Sequence, residues 1–166
     1  ILLTFFSPSG YELRKNYAYA DYVFYLPLDT RKNASAFIRI VKPEKAFFIK
    51  YEFWFNYLTE LKKHNIPTYI FSALFRPSQI FFRPWGKWFG KALKAYDHIF
   101  VQNQESYEIL HQHGFNNVDI CGDTRLDAVG EIADAAPRLE KMELFCGNIK
   151  AIIGGSTWKE DEDLFI

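Results

Sequence analysis

A lysine and a glutamate stand inside an aromatic segment, Lys50-Tyr51-Glu52-Phe53-Trp54. A carboxylate in apolar surroundings needs either a partner or a chemical role. Side chains two residues apart share one face of a strand, so an ion pair between Lys50 and Glu52 is the simplest structural interpretation. The segment also follows a predicted strand, and parallel sheets bind ligands at the carboxyl ends of their strands. That position favours a functional site around Glu52.

A second charged segment, Gly122-Asp123-Thr124-Arg125-Leu126-Asp127, also follows a predicted strand. The guanidinium of Arg125 has the geometry to hold a phosphate or a carboxylate. The alternative is a surface ion pair with Asp123 or Asp127, which would stabilise the protein little. Arg125 is therefore a candidate for binding an anion, but this segment by itself does not indicate a specific function.

Two short segments combine glycine with hydroxyl side chains ahead of a predicted helix. Backbone N–H groups at a helix start can hold an anion, while an ordinary turn and N-cap is the alternative for the first segment. The second is neither a phosphate-binding P-loop nor a G-x-G-x-x-G motif. No metal site is predicted, because His111 and His113 would not face each other on a helix. The two sets are Ser7, Ser9 and Gly10, and Gly155, Ser156 and Thr157.

Residues 75–96 interleave basic side chains with Phe and Trp. Such a helix suits a lipid–water interface, where rings lie at headgroup depth and cations meet lipid phosphates. A core helix with a solvated basic face is the alternative. The paired tryptophans favour the membrane interpretation, with the lipid-facing side chains Arg83, Trp85, Lys87, Trp88 and Lys91.

The composition is that of a globular protein, with 49% hydrophobic, 24% charged and 19% aromatic residues among 166. The net charge is zero, but residues 1–94 carry 15 Lys or Arg against 6 Asp or Glu, and residues 95–166 carry 5 against 14. We expect the basic part to face an anionic partner, and we expect no nucleic-acid partner. Two cysteines and no signal-peptide pattern predict a reducing compartment.

Apolar strands alternate with helical patterns along the chain, which predicts βαβ units. The fold class is therefore α/β, a Rossmann-like doubly wound parallel sheet. The predicted strands are 2–6, 22–26, 46–50, 68–72, 98–102, 118–121 and 151–153. The first predicted helix is a short one that follows the turn 7–10 and continues to residue 16. The other predicted helices are 31–41, 54–64, 85–96, 106–113 and 136–145, with another opening at 160–163. We divide the chain into a domain at 1–136, a connector at 137–150 and the start of a second domain at 151–166.

In this order the segments resemble the transferases of 3-deoxy-D-manno-octulosonic acid (Kdo). The resemblance extends along the whole chain. Its seven motifs are Thr4–Glu12, Tyr25-Leu26-Pro27-Leu28-Asp29, Glu52-Phe53-Trp54-x-Asn56, Ile66-Pro67, Gln102-Asn103, Gly122-x-x-Arg125-x-Asp127 and Gly155-Ser156-Thr157-x-x-x-Asp161-Glu162.

The resemblance implies the first half of a GT-B-type enzyme with two Rossmann-like domains. The full-length enzyme would transfer Kdo from CMP-Kdo to the lipid A precursor in lipopolysaccharide biosynthesis, at the cytoplasmic face of the inner membrane of Gram-negative bacteria. It would invert the anomeric centre without a metal, and CMP-Kdo would be a substrate, with no cofactor. Glu52 matches a glutamate needed for transfer, and Arg125 matches a basic residue that stabilises the transition state. Ser7, Ser9, Gly10 and Lys50 would contact the acceptor, and Gly155 to Thr157 the donor phosphate.

The sequence departs from the family pattern at several places. The glutamate general base of the family, in a W-x-H-x-x-S-x-G-E segment, has no counterpart here, so we expect the first strand–helix unit to be missing and these residues alone to be inactive. Lys50 replaces the first acid of E-x-E, and Phe55 replaces a proline. An exposed cleft face would favour self-association. The alternatives are another GT-B-type glycosyltransferase, a sugar-nucleotide epimerase, or a non-enzymatic Rossmann-like binding module.

Overall fold

The computed structural model describes residues 1–164, except for the side chain of Lys87. Strands and helices alternate from the first residues onward, as the sequence predicts. The strands are β1 (Leu2–Phe5), β2 (Tyr22–Tyr25), β3 (Ala46–Ile49), β4 (Thr68–Ala73), β5 (His98–Val101) and β6 (Val118–Ile120). The α-helices are α1 (Pro8–Arg14), α2 (Arg31–Val41), α3 (Phe55–Lys63), α4 (Lys87–Leu93), α5 (Gln104–Gln112), α6 (Thr124–Asp134), α7 (Glu140–Cys146) and α8 (Lys159–Glu162). Two 3₁₀ turns, Ile80–Phe82 and Pro84–Gly86, precede α4.

All strand pairs are parallel, which confirms the predicted Rossmann-like α/β class. The strands form two sheets. One contains β1 and β2, and the other has the order β3-β4-β5-β6. Successive neighbours connected by helices are the βαβ arrangement that the alternating pattern predicts.

The four-stranded sheet has one buried face. Ile70, Ile99 and Val101 are fully buried there, and residues of α3, α4 and α5 belong to the same core cluster. The opposite face carries aromatic rings, with Phe71 and Phe100 stacked at a centroid distance of 4.6 Å. The alternation follows from the two-residue period of side chains along a strand.

The two-stranded sheet is tied to the rest through helices. A second core cluster joins Ala34 and Ile38 of α2 to Tyr57 and Leu61 of α3. Thr30 caps α2 by accepting a hydrogen bond from the amide of Asn33 at 3.2 Å. Leu26, directly after β2, and Ala46 and Phe48 of β3 pack against this cluster, so the α2–α3 pair connects the two sheets.

Asp29 fixes the start of α3. Its carboxylate accepts hydrogen bonds from the amides of Asn56, at 3.1 Å, and Tyr57, at 3.2 Å. The side-chain amide of Asn56 donates to the carbonyl of Asp29 at 2.8 Å, and the Tyr57 hydroxyl donates to the carbonyl of Pro27 at 2.9 Å. Because the first amides of a helix have no partner within it, these bonds cap α3 from the loop after β2.

Within residues 1–164, no backbone hydrogen bond joins β1 to β3. The amide of Ala46 donates to Pro67 and that of Lys50 to Phe71, so even-numbered amides of β3 face β4. The amides of Phe47 and Ile49 therefore point away from β4. β3 is an open sheet edge.

The structure departs from the predicted elements most clearly at residues 151–153, at α6 and at residues 85–96. Residues 151–153 form no strand, since their side chains are exposed and no strand among the described residues pairs with them. Helix α6 has no counterpart among the predicted elements, although Leu126, Val129 and Ile132 recur at helical spacing. The predicted helix 85–96 is divided, because Pro84–Gly86 is a 3₁₀ turn before α4.

The chain divides into two compact units, Ile1–Thr124 and the part from Arg125 onward. Both core clusters lie in the first unit. In the second, Arg138 and Glu143 form an ion pair at 2.7 Å, and no residue up to Leu164 is buried. None of the described helices combines the length and hydropathy needed to cross a bilayer.

Candidate functional site at the carboxyl edge of the four-stranded sheet

Polar side chains gather where β3, β4, β5 and β6 end. Lys50 and Glu52 follow β3, Ser72 lies near the end of β4, Gln102 follows β5, and Asp123 follows β6. This is the edge at which parallel α/β sheets bind ligands. The structure thus places two of the predicted residues, Lys50 and Glu52, at the expected edge.

Lys50 forms an ion pair with Asp123, with Nζ and Oδ1 2.9 Å apart. Both side chains are only 16% exposed. Because β3 and β6 are the outer strands of the sheet, the pair reaches over the ends of β4 and β5. A largely buried charge pair of this kind links two distant segments, and removing one partner is costly because it leaves the other charge buried without compensation.

The simplest structural prediction for Lys50, an ion pair with Glu52, is wrong, since the structure pairs it with Asp123. Lys50 has a φ of 63°, in the left-handed region, directly after the last residue of β3. The rule that residues two apart share a face holds only along a regular strand. The change in backbone direction at Lys50 removes the basis for that prediction.

Glu52 is partly buried and its carboxylate accepts a hydrogen bond from the indole Nε1 of Trp54. The backbone carbonyl of Glu52 accepts a hydrogen bond from the Tyr96 hydroxyl at 2.8 Å. Burial, with a smaller contribution from the charge of Glu52, raises the pKa of Tyr96 well above its usual value. Tyr96 therefore stays a neutral donor and holds the backbone that carries the carboxylate.

Three polar residues at this edge were not singled out from the sequence. Ser72 hydrogen-bonds Thr124 through its hydroxyl, and Gln102 donates from Nε2 to the carbonyl of Ser72 at 2.9 Å. Gln102 belongs to the Gln102-Asn103 motif of the family resemblance, and that motif could have identified it as a site residue. Ser72 carries no such signal, because a serine at a strand end is common, and Thr124 stands at an unspecified position of the Gly122-x-x-Arg125-x-Asp127 motif.

The predicted acceptor residues after β1 are at the surface. The hydroxyls of Ser7 and Ser9 lie 2.7 Å apart, and Ser7 makes no side-chain cap to α1. A Cβ at Gly10 would lie 2.9 Å from a ring carbon of Phe5. Gly10 thus permits α1 to pack closely on β1, in addition to any contact with a ligand.

Arg125 lies in the first turn of α6 and is exposed. The predicted donor segment, Gly155 to Thr157, is irregular. Thr157 donates to a carboxylate oxygen of Glu162 at 3.0 Å, and the amide of Trp158 donates to Asp161 at 3.0 Å. Acidic side chains of α8 therefore already use two of the donors near this helix start.

The predicted lipid-facing residues form an exposed aromatic and basic surface. Trp85 is 74% exposed and Trp88 is 55% exposed, while Arg83 and Lys91 are also exposed. Trp88 stacks on Phe55 with ring centroids 3.8 Å apart. The side chain of Lys87 lies outside the described part of the structure.

Other motif residues have structural roles. Asn103 caps α5 by accepting a hydrogen bond from the amide of Ser106 at 3.0 Å, and the carbonyl of Pro67 accepts one from Ala46 at 2.9 Å. In the part of the chain that the structure describes, no three His, Cys, Asp or Glu side chains come together as a possible metal site.

Comparison with known proteins gives one informative result. A search of curated proteins finds no match. The family model described as 3-deoxy-D-manno-octulosonic-acid transferase (kdotransferase) matches residues 1–128 of the 166. The match includes both core clusters, Glu52, and the polar residues at the sheet edge. The chain therefore belongs to the Kdo transferase family of glycosyltransferases.

Proposed function

We propose that this chain carries the acceptor-binding domain of a two-domain enzyme that transfers Kdo from CMP-Kdo to the lipid A precursor. The supporting observation is that Glu52 and the Lys50–Asp123 pair lie at the carboxyl edge of a parallel sheet in a member of this family. Family membership supports a sugar nucleotide and a lipid acceptor in general, and the specific substrates are part of the proposal.

In the proposed reaction, an acceptor hydroxyl oxygen forms a bond to the anomeric carbon of Kdo on the face opposite CMP. The bond from that carbon to the CMP phosphate oxygen breaks, and CMP leaves with the electron pair. The transition state resembles an oxocarbenium ion. The hydroxyl proton passes to a general base outside these 166 residues. No metal takes part in the proposed transfer, and the configuration at the anomeric carbon is inverted.

Glu52 and Arg125 have distinct roles in this proposal. The carboxylate of Glu52, oriented by Trp54, would accept a hydrogen bond from the sugar or the acceptor at the reacting centre. The guanidinium of Arg125 would offset the negative charge that develops on the departing phosphate. Neither role requires a change in the covalent state of the residue.

The acceptor is proposed to bind with its phosphates towards Ser7, Ser9, Gly10 and Lys50. The ammonium of Lys50 is already paired with Asp123, so an acceptor phosphate would share this cation with a carboxylate. The phosphate of the donor CMP-Kdo is proposed to bind to the segment from Gly155 to Thr157.

A strand–helix unit that precedes β1 in the complete domain is also part of the proposal. The support is the open edge of β3, whose Phe47 and Ile49 amides point away from β4. A parallel strand beside β3 would satisfy these groups.

The test of the proposed roles uses the full-length enzyme with CMP-Kdo and the lipid A precursor. We expect Glu52→Ala and Arg125→Ala each to lower kcat by roughly a hundredfold or more, as removal of one transition-state contact does. Glu44→Ala and Arg39→Ala are matched controls, because both residues are exposed and lie away from this edge. Turnover near the wild-type value in both test variants would refute the assignment.

The proposed location is the cytoplasmic face of the bacterial inner membrane. Trp85 and Trp88 beside Arg83 and Lys91 form a surface that can insert rings at headgroup depth and contact anionic lipid. We expect the chain to bind vesicles that contain phosphatidylglycerol, and to bind them less in high salt or after Trp85→Ser and Trp88→Ser.

Trp158→Ser is the control for this binding experiment. Trp158 is 76% exposed, like Trp85, but it precedes the acidic segment Glu160–Asp163. Equal loss of vesicle binding in this variant, or binding that salt does not alter, would contradict the proposed membrane surface.

A further inference from the structure

Strand β4 contains one extra residue beside β5. Ile70 is opposite Ile99 and Ala73 is opposite Val101, so three steps on β4 match two on β5. Ser72 lies in this irregularity with a φ of 52° and is fully buried. Bulges of this kind redirect a side chain, and a serine keeps a left-handed backbone only where the surroundings enforce it.

The hydroxyl of Ser72 forms two hydrogen bonds with Thr124, the first residue of α6. It accepts a hydrogen bond from the amide of Thr124 at 3.2 Å and donates one to Thr124 Oγ1 at 3.1 Å. The amide of Thr124 is one of the helix-start donors that have no partner within the helix. Ser72 therefore caps α6 from a strand that is distant in the sequence.

The surroundings hold this arrangement from both sides. The side chain of Gln102 donates to the Ser72 carbonyl at 2.9 Å, and the amide of Gln102 donates to Ala73 at 2.9 Å. Asp123, which precedes Thr124, is held by Lys50. The peptide that begins α6 is thus fixed by two separate contacts, one from β4 and one from the end of β3.

We propose that Ser72 is a positioning residue that sets the start of α6 and, through the backbone of Thr124, the place from which Arg125 extends. This inference rests on the proposed function, in which Arg125 stabilises the departing phosphate. Ser72 itself contacts no substrate. Its hydroxyl acts through Thr124, and its bulge makes that contact possible.

The first test measures hydrogen exchange of the Thr124 amide in the 166-residue chain. We expect exchange to rise roughly five- to tenfold in Ser72→Ala and in Ser72→Gly, as expected for the loss of one hydrogen bond. Glycine tolerates the left-handed backbone, so Ser72→Gly keeps the fold while it removes the hydroxyl. The amide of Ile99 should keep its wild-type exchange rate in Ser72→Gly.

Ser106→Ala is the matched control, because Ser106 is also fully buried and its hydroxyl accepts a hydrogen bond from the amide of Phe75 at 2.9 Å. This variant should leave the exchange of Thr124 unchanged relative to Ile99. Unchanged exchange at Thr124 in Ser72→Gly, or an equal rise in Ser106→Ala, would overturn the positioning role.

The second test separates this inference from the proposed function in the full-length enzyme. We expect Ser72→Gly to lower kcat at least tenfold with little change in KM, since it displaces a group that acts on the transition state. If Arg125→Ala loses activity while Ser72→Gly keeps it, the positioning of Arg125 is wrong. If Arg125→Ala keeps full activity, the proposed role of Arg125 fails, and the exchange result alone decides whether Ser72 sets the start of α6.

Discussion

The two sheets of the first unit are built from the same kind of parallel pair but differ in burial. In the four-stranded sheet, Ile70, Ile99 and Val101 are fully buried. In the two-stranded sheet no residue is classed as buried, and Tyr22 and Phe24 are 63% and 54% exposed. A hydrogen-bonded ladder is present in both, so the difference lies in the apolar surface that each sheet removes from water.

This difference indicates where the stability of the first unit resides. Two strands alone form a marginal structure in water. The sheet of β1 and β2 therefore depends on the α2–α3 cluster and on the cap that Asp29 gives to α3. The candidate functional site lies at the carboxyl edge of the four-stranded sheet, which is the more stable of the two sheets.

The sharpest test of the comparison is one truncation in each sheet. Ile99→Ala should lower the free energy of unfolding by about 2–5 kcal/mol, because it leaves a cavity in a closed core. Tyr22→Ala should lower it by only about 0.5 kcal/mol, since most of that ring is already in water. Urea unfolding followed by circular dichroism measures both, and equal losses would show that the sheets do not differ as described.

A smaller effect is expected at the cap that attaches the smaller sheet. Asp29→Ala removes the acceptor for the amides of Asn56 and Tyr57 and should cost about 1–2 kcal/mol. Hydrogen exchange should rise first in β2 and α2. Asp21→Ala is the control, because the side chain of Asp21 is 72% exposed. A similar loss in both variants would contradict a special role for Asp29.

The smallest effect is a pH dependence at the junction of the sheets. Burial, with a smaller contribution from Asp29, raises the pKa of Tyr57 to about 12. The unfolded chain then loses this proton near the usual tyrosine pKa of about 10, before the folded chain does. The stabilisation is complete below pH 10 and is lost as the pH rises towards 12, at up to about 1.4 kcal/mol per pH unit.

Tyr57→Phe removes this titration. The stability advantage of the wild type over Tyr57→Phe should therefore shrink by about 1 kcal/mol between pH 10 and pH 11. Tyr19→Phe, at a ring that is 78% exposed, is the control. A difference between wild type and Tyr57→Phe that stays constant over this range would show that Tyr57 is not the group responsible.

The alternation of apolar strands and helical patterns was enough to predict the six parallel strands and the edge at which Lys50 and Glu52 lie. That pattern depends only on local periodicity. The Lys50–Asp123 pair and the bulge at Ser72 could not be predicted, because both depend on backbone turns into the left-handed region and on strand order. The strand predicted at 151–153 failed for a related reason, since apolar residues form a strand only where a partner strand is available.

The open edge of β3 has a consequence for how the first unit melts. Because no backbone ladder within residues 1–164 joins β1 to β3, the two sheets are coupled through the α2–α3 pair and the Asp29 cap on α3. Weakening that helix pair would uncouple the sheets and turn one thermal transition into two, with β1 and β2 lost first.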